Sequence, residues 1–159
     1  LMAKIPAAGA VKTRLLPFLS AEEAAQFAAC LLRDTIEKIQ ALKFQTIISY
    51  APPVSAGDRR FFDELENGDF IFHEQCGVDL GERICSAFRF AFEHENFAAA
   101  AMIGADSPTQ PPEFIERALE TLQNSSAVLG KTTDGGFHLI GLRRPLRQEI
   151  FAGVRWSSA

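Results

Sequence analysis

The sequence predicts an α/β fold, a three-layer α/β/α sandwich built on a mostly parallel sheet. Two observations carry this. Short β-prone runs alternate with amphipathic helical stretches along the whole chain. The 159 residues are 47% hydrophobic, with no low-complexity tract or internal repeat, which suits one folded domain over 1–159 and excludes disorder.

The elements follow in order. Leu1-Met2-Ala3 reads as the end of an opening strand whose beginning is missing. In residues 20–42 the apolar positions Ala24, Phe27, Ala28, Leu31, Leu32, Ile36, Ile39 and Leu42 recur at three- and four-residue steps, one face of a helix, and Ser20 with Glu23 has capping-box spacing. Residues 46–50 are a β-prone run stopped by Pro52-Pro53, followed by a helical piece around 59–65, the turn signal Asn67-Gly68 and a strand at 70–72. Asp79 and Glu82 repeat the capping spacing ahead of Ile84, Phe88, Ala91 and Phe92, so a helix is expected to about residue 95. Residues 97–103 are a continuous apolar run, short enough for a buried central strand. Pro111 and Pro112 suit the first turn of a helix with the stripe Phe114, Ile115, Ala118, Leu119 and Leu122. Residues 127–129 and 137–142 read as two further strands.

Sixteen Lys and Arg against twenty Asp and Glu leave a formal charge of −4, which gives no support to a nucleic-acid or anionic-membrane surface. Any anionic ligand must be held locally. Cys30, Cys76 and Cys85 form neither an even set nor a close metal-ligand pair, so a reducing, cytoplasmic setting is the simpler inference. No apolar run has the roughly 20 residues of a membrane helix, and no basic start leads into a signal core. His73, His94 and His138 lack metal spacing, and no Gly-x-Ser-x-Gly elbow supports serine hydrolysis.

In open α/β sheets ligands collect beyond the carboxyl ends of the strands. Residues 4–14 follow the opening strand there and carry Lys4, Lys12 and Arg14 among small residues, with Pro6 and Gly9 bending the path and Thr13 beside the last two cations. Local positive charge with close backbone approach suits phosphate, although a solvated basic loop has the same composition, and the first glycine of a Walker A loop is absent. Gly104-Ala105-Asp106-Ser107-Pro108 offers a carboxylate able to hold Mg²⁺ against phosphate oxygens, or else an Asx turn. Thr132-Thr133-Asp134-Gly135-Gly136 offers a second carboxylate, but Asp-Gly is also a strong hairpin signal. Gln75 could read a nucleobase edge, Gly77 and Gly81 would let backbone approach a ring or ribose, and Asp79 is read first as a helix cap.

Taken together, Lys4-x-Pro6-x-x-Gly9-x-Val11-Lys12-Thr13-Arg14-Leu15, Gln75-x-Gly77-x-Asp79-Leu80-Gly81-x-Arg83, Ile103-Gly104-x-Asp106-Ser107-Pro108, Val128-Leu129-Gly130 with Asp134-Gly135-Gly136-Phe137 and Leu139-Ile140-Gly141-Leu142, and Trp156-Ser157 make a resemblance that spans essentially the full chain. The sequence resembles the glycosyltransferase-A-like, or nucleotide-diphospho-sugar transferase, family of the radical-SAM/selenodomain-associated transferase type, similar in turn to 2-phospholactate guanylyltransferases and molybdenum-cofactor nucleotidyltransferases. The resemblance implies a Rossmann-like nucleotide-diphospho-sugar transferase fold. It implies that Lys4, Pro6, Gly9, Lys12, Thr13 and Arg14 wrap the nucleotide phosphates and that Gln75 and Gly77 lie near the base. Asp106 is then a ligand of Mg²⁺ or Mn²⁺, with Lys12 and Arg14 its catalytic companions. Asp134, Gly135, Gly136 and Trp156 face the acceptor, and Asp134 is the second metal position. The family usually has Pro at Lys131, Tyr at Phe137 and Thr at Ser158, and its later Asp-x-Asp motif lies beyond Ala159, so the chain is expected to be clipped at both ends.

The function expected from these residues is metal-dependent transfer from a nucleoside triphosphate or a nucleotide-sugar to a small-molecule acceptor, as a nucleotidyltransferase or a glycosyltransferase. The partners are small molecules rather than nucleic acid or membrane. The competing expectation is a catalytically inactive nucleotide-binding or interaction domain on the same fold, which the altered Lys131 and Phe137 keep open. Donor base, acceptor and oligomeric state are left undetermined by these residues.

Overall fold

In the computed structural model the described residues are 1–51, 61, 69–151, 153–154 and 156, and they group into two compact units. The first comprises Leu1–Phe72 and Gly104–Pro112; the second comprises His73–Ile103 and Glu113–Ala159. The helical piece expected around 59–65 and the turn at Asn67-Gly68 lie outside the described residues apart from Phe61, as do Pro52-Pro53, Ser157 and Ser158.

The first unit opens with strand β1 (Met2–Ala3), followed by helix α1 (Ala21–Ala41) and strand β2 (Thr46–Tyr50). β3 (Phe70–Glu74) completes a three-stranded sheet in the order β1-β2-β3. β1 and β2 run parallel, Met2 opposite Ser49 and Ala3 opposite Tyr50, as a strand-helix-strand crossover requires. Leu32 and Ile36 of α1 meet Ala3, Ile5 and Ile48 in the core, with Tyr50, Phe61, Phe70, Phe72 and Ala105 packed around them. Burying a Leu or Ile of this kind contributes roughly 1.5–3 kcal/mol, so the helix is held mainly by its apolar face.

The start of α1 is fixed by sequence. The Glu23 N–H donates to Ser20 Oγ at 3.2 Å, and the Ser20 N–H donates to Glu23 Oε2 at 2.8 Å. Bonds to the Glu23 carboxylate, from the Ser20 backbone N–H first and from the Ser20 hydroxyl second, pull it below its ordinary value of 4.5. A depressed folded-state pKa stabilises above the ordinary value and is lost as pH falls through the lowered one. Ser20→Ala is therefore expected to lower stability by about 1 kcal/mol near neutrality, a fall in Tm of a few degrees. The deficit should shrink below the ordinary Glu value, and thermal melts from pH 7 to 3 check both points.

In the second unit, helix α2 (Leu80–Arg89) continues through a π-helical turn, Phe90–His94, which puts the end of the helical stretch one residue from the sequence expectation. Ile84, Ala87, Phe88, Ala91 and Phe92 are its buried face. Strand β4 (Ala99–Ile103), helix α3 (Glu113–Thr121), β5 (Ala127–Lys131) and β6 (Phe137–Arg143) follow. Ile115, Ala118 and Leu122 are buried as the periodicity predicts, whereas Phe114 is exposed and packs edge-on against the His138 ring at 5.7 Å.

The sheet of this unit has the order β4-β6-β5, and β6 is antiparallel to both neighbours. β6 holds the middle position and is buried continuously from Leu139 to Leu142, whereas the alanines of β4, expected to form the buried central strand, are half-covered. Five residues separate β5 from β6, too few for a parallel crossover, so the Asp-Gly turn closes a hairpin with a bulge at Gly130/Lys131. No helix among the described residues is long and apolar enough to cross a membrane.

Candidate functional site

The basic stretch at residues 4–14 is an arch with two apolar feet. Ile5 and Val11 are each 6% exposed, so the chain between and beyond them is pushed outward. The Ala7 N–H donates to the Ile5 carbonyl and the Ala10 N–H to the Ala7 carbonyl, which tightens the arch. Gly9 turns with φ +76°, in empty space, so glycine is used there for its backbone and not for room. Lys12 also takes the left-handed region, φ 49° and ψ 36°, and leads into a short 3₁₀ turn, Thr13–Leu15. Lysine is an unusual residue for that conformation, and such positions cluster at ligand sites. Lys4, Thr13 and Arg14 are exposed, and Pro6 is half-buried.

Asp106 belongs to the same unit and meets this arch. Lys12 Nζ lies 2.5 Å from Asp106 Oδ1, across 94 residues of chain. The backbone beneath is anchored, because Met2 forms a parallel bridge with Gly104 and Ala105 packs on the core. The Asp106 side chain is 79% exposed and Lys12 23%. A pair this open to water contributes only about 0–1 kcal/mol, so stability does not account for it. A carboxylate and an ammonium presented to solvent at a strand end are what a phosphate-metal complex needs.

Fit to a divalent cation can be judged on the donors. Mg²⁺ and Mn²⁺ take oxygen ligands, and Mg²⁺ is commonly held by one or two carboxylates together with substrate phosphate. Asp106 has one such carboxylate, whose only hydrogen bond or ion pair among the described residues is with Lys12. No group of three or more His, Cys, Asp or Glu suited to a metal occurs among the described residues. The residues therefore fit a cation shared with phosphate oxygens, not one caged by protein alone.

The remaining candidates belong to the second unit. Gln75 is buried, at 7% exposure, just beyond β3. Asp79 caps α2, with the Glu82 N–H donating to Asp79 Oδ1 at 2.8 Å. The return arm goes to a different donor than a capping box predicts, since Glu82 Oε2 accepts from the Val78 N–H at 2.9 Å. Gly77 has φ +139°, and a Cβ there would sit 2.5 Å from Glu82 Cβ. The close approach read for Gly81 is taken by the protein itself: a Cβ at Gly81 would lie 2.5 Å from Trp156 Nε1. Trp156 also sets its ring against Phe137 and Phe151, with centroids 6.3 and 6.2 Å away.

In the hairpin turn, Asp134 Oδ1 accepts from the Thr132 hydroxyl and from the Gly136 N–H. These two bonds, the Thr132 one first, hold the Asp134 carboxyl below the usual range. Asp134, Gly135 and Gly136 are all exposed. Within the first unit the structure thus brings Asp106 to Lys12, on the arch that also carries Lys4, Pro6, Gly9, Thr13 and Arg14, and within the second it joins Asp134 to Gly136 and Phe137 to Trp156. One residue that sequence reasoning missed is Lys38, whose Nζ donates to the Pro108 and Gln110 carbonyls just after Asp106. Its position within a helical stripe hides it, because a cation between apolar residues reads as surface.

Comparison with known proteins adds an independent line. The profile of the family described as "Uncharacterized protein conserved in bacteria (DUF2064)" matches residues 35–158. A crystal structure of a "putative nucleotide-diphospho-sugar transferase" from Desulfovibrio desulfuricans G20 superposes with a TM-score of 0.87 at 32% identity, over 99% of this chain and 69% of that one. Rv0371c from Mycobacterium tuberculosis H37Rv, in complex with manganese, gives a TM-score of 0.56 at 18% identity, over 96% and 74% of the two chains. 4-Diphosphocytidyl-2C-methyl-D-erythritol synthase gives 0.57 at 12% identity, over 97% and 78%. The last two likenesses speak for the fold alone. No curated protein sequence matches the chain. The fold is that of nucleotide-diphospho-sugar transferases, an α/β architecture with a parallel sheet.

Proposed function

Because the chain belongs to the bacterial family DUF2064, on the fold of the nucleotide-diphospho-sugar transferases, we propose that it is a metal-dependent transferase of a nucleoside triphosphate or a nucleotide-sugar. The observation that carries this is the Lys12–Asp106 pair, an exposed carboxylate and an ammonium 2.5 Å apart at the end of the arch. The resemblance to the radical-SAM/selenodomain-associated transferases supports the same residues.

In this reading Lys12 and Arg14 lie along the donor phosphates and offset their charge, more so as the bond to the departing group breaks. Lys4, Pro6, Gly9 and Thr13 shape the arch around those phosphates. Asp106 would hold Mg²⁺ or Mn²⁺ together with phosphate oxygens, and Asp134 offers a second position. Such a cation, when bound, polarises the phosphoryl oxygens and neutralises the departing pyrophosphate or nucleoside diphosphate. Gln75 and Gly77 would serve the base. Gly135, Gly136 and Trp156 line the acceptor side with Asp134. Transfer to an acceptor phosphate makes the enzyme a nucleotidyltransferase, and transfer of a sugar makes it a glycosyltransferase.

The test is a thermal-shift screen of the four nucleoside triphosphates and of common nucleotide-sugars, with and without Mg²⁺ or Mn²⁺. At a ligand concentration of about 100 times Kd the stabilisation expected is about 2.7 kcal/mol, several degrees in Tm for a chain of this size. A shift that needs metal supports the transferase. A nucleotide shift indifferent to metal supports the inactive binding domain, and no shift with any nucleotide refutes both.

A further inference from the structure

We infer that Lys38 is a positioning residue for the Asp106 carboxylate, an inference that rests on the transferase reading and extends it. Lys38 stands in the last turn of α1, in the same unit as Asp106. Its Nζ donates to the carbonyl of Pro108 and, at 2.6 Å, to that of Gln110, across 70 and 72 residues. Those carbonyls belong to the turn that follows Asp106, closed by the Gln110 N–H donating to the Ser107 carbonyl at 3.0 Å.

Asp106 is therefore suspended between two fixings. On one side Ala105 packs against the core, and on the other Lys38 binds the turn at two points. Between them the carboxylate is 79% exposed and pairs with the Lys12 ammonium at 2.5 Å, so the backbone of the turn sets the point from which it reaches that partner. An ammonium suits the task because it has three donors and no acceptor, enough to hold two carbonyls at once with charge-assisted bonds. Among the described residues, the hydrogen bonds of the Lys38 ammonium go to these two carbonyls and not to the Asp106 side chain. Its effect passes through the backbone of residues 107–110, in the way outer-shell groups orient metal ligands.

The test uses the full chain, Mn²⁺ and inorganic tripolyphosphate, a probe that contains the phosphates of a donor without a base. Binding of the preformed Mn²⁺–tripolyphosphate complex and binding of tripolyphosphate without metal are both followed by calorimetry. Lys38→Met is expected to weaken binding of the complex by about tenfold or more, while metal-free tripolyphosphate affinity stays within about twofold. Hydrogen exchange at the Gln110 amide should quicken, and Lys38→Arg should restore most of the affinity for the complex. If Lys38→Met binds the complex as the unaltered protein does, the positioning role is refuted while the transferase reading stands. Equal weakening with and without metal, in step with a lower Tm, assigns Lys38 to the fold alone and also refutes it. If the unaltered protein shows no binding of the Mn²⁺–tripolyphosphate complex, the transferase reading falls and takes this role with it.

Discussion

Asp106→Asn should abolish metal-stimulated nucleotide binding and lower turnover by about 10²–10³-fold while leaving the melting temperature within a degree or two. The substitution keeps the size of the side chain and removes its charge. Its cost to the fold is small because the pair it breaks is exposed, with Asp106 79% open to solvent, and pairs of that kind contribute about 0–1 kcal/mol. Its cost to a shared cation is large, because no group of three or more acidic, His or Cys residues suited to a metal occurs among the described residues to take over. Lys12 is left without its partner, so metal-free binding of a polyphosphate should be unchanged or slightly tighter. Calorimetry with and without Mn²⁺ separates the two effects. Unaltered affinity in the presence of metal would remove Asp106 from the site.

The second large effect is on stability, with Gly77→Ala expected to destabilise by about 3 kcal/mol, roughly 10 °C in Tm. Two causes add. The backbone at Gly77 has φ +139°, which a side chain rarely tolerates, and the new Cβ would lie 2.5 Å from Glu82 Cβ and 2.8 Å from the Arg83 backbone nitrogen. Relief would have to come from the first turn of α2, where Glu82 Oε2 accepts from Val78 and Arg83 Nε donates to the Gly77 carbonyl. That turn cannot shift without opening its own cap. Urea unfolding of the two proteins measures the difference, and a loss under 1 kcal/mol would mean that the turn relaxes freely.

Much of this fold is legible in the chain because helix starts are local chemistry. Ser20 with Glu23, and Asp79 with Glu82, each mark a helix start at the residue observed. Strand direction is harder to read. The Asp134-Gly135 turn signals a hairpin, and the hairpin forms, but an alternating strand-helix pattern alone suggests parallel neighbours where β6 is antiparallel to both of its own. The apolar run ending at Ile103 looks like a sheet centre by hydropathy, yet alanines cover little area and the middle place goes to β6.

For the candidate site, residue types and strand-end placement were enough to single out Lys12 and Asp106. Their approach to 2.5 Å depends on pairing between β1 and Gly104 that no local pattern encodes. Lys38 was hidden for a similar reason. Its partners are main-chain carbonyls, which carry no sequence signature at all.

The indole that fills the space over Gly81 belongs to the chain's one tryptophan. Its emission is consequently a built-in optical probe of the start of α2, free of background from other indoles. Any event that lifts the aromatic edge off that glycine should register as a change in colour and intensity without a label being attached.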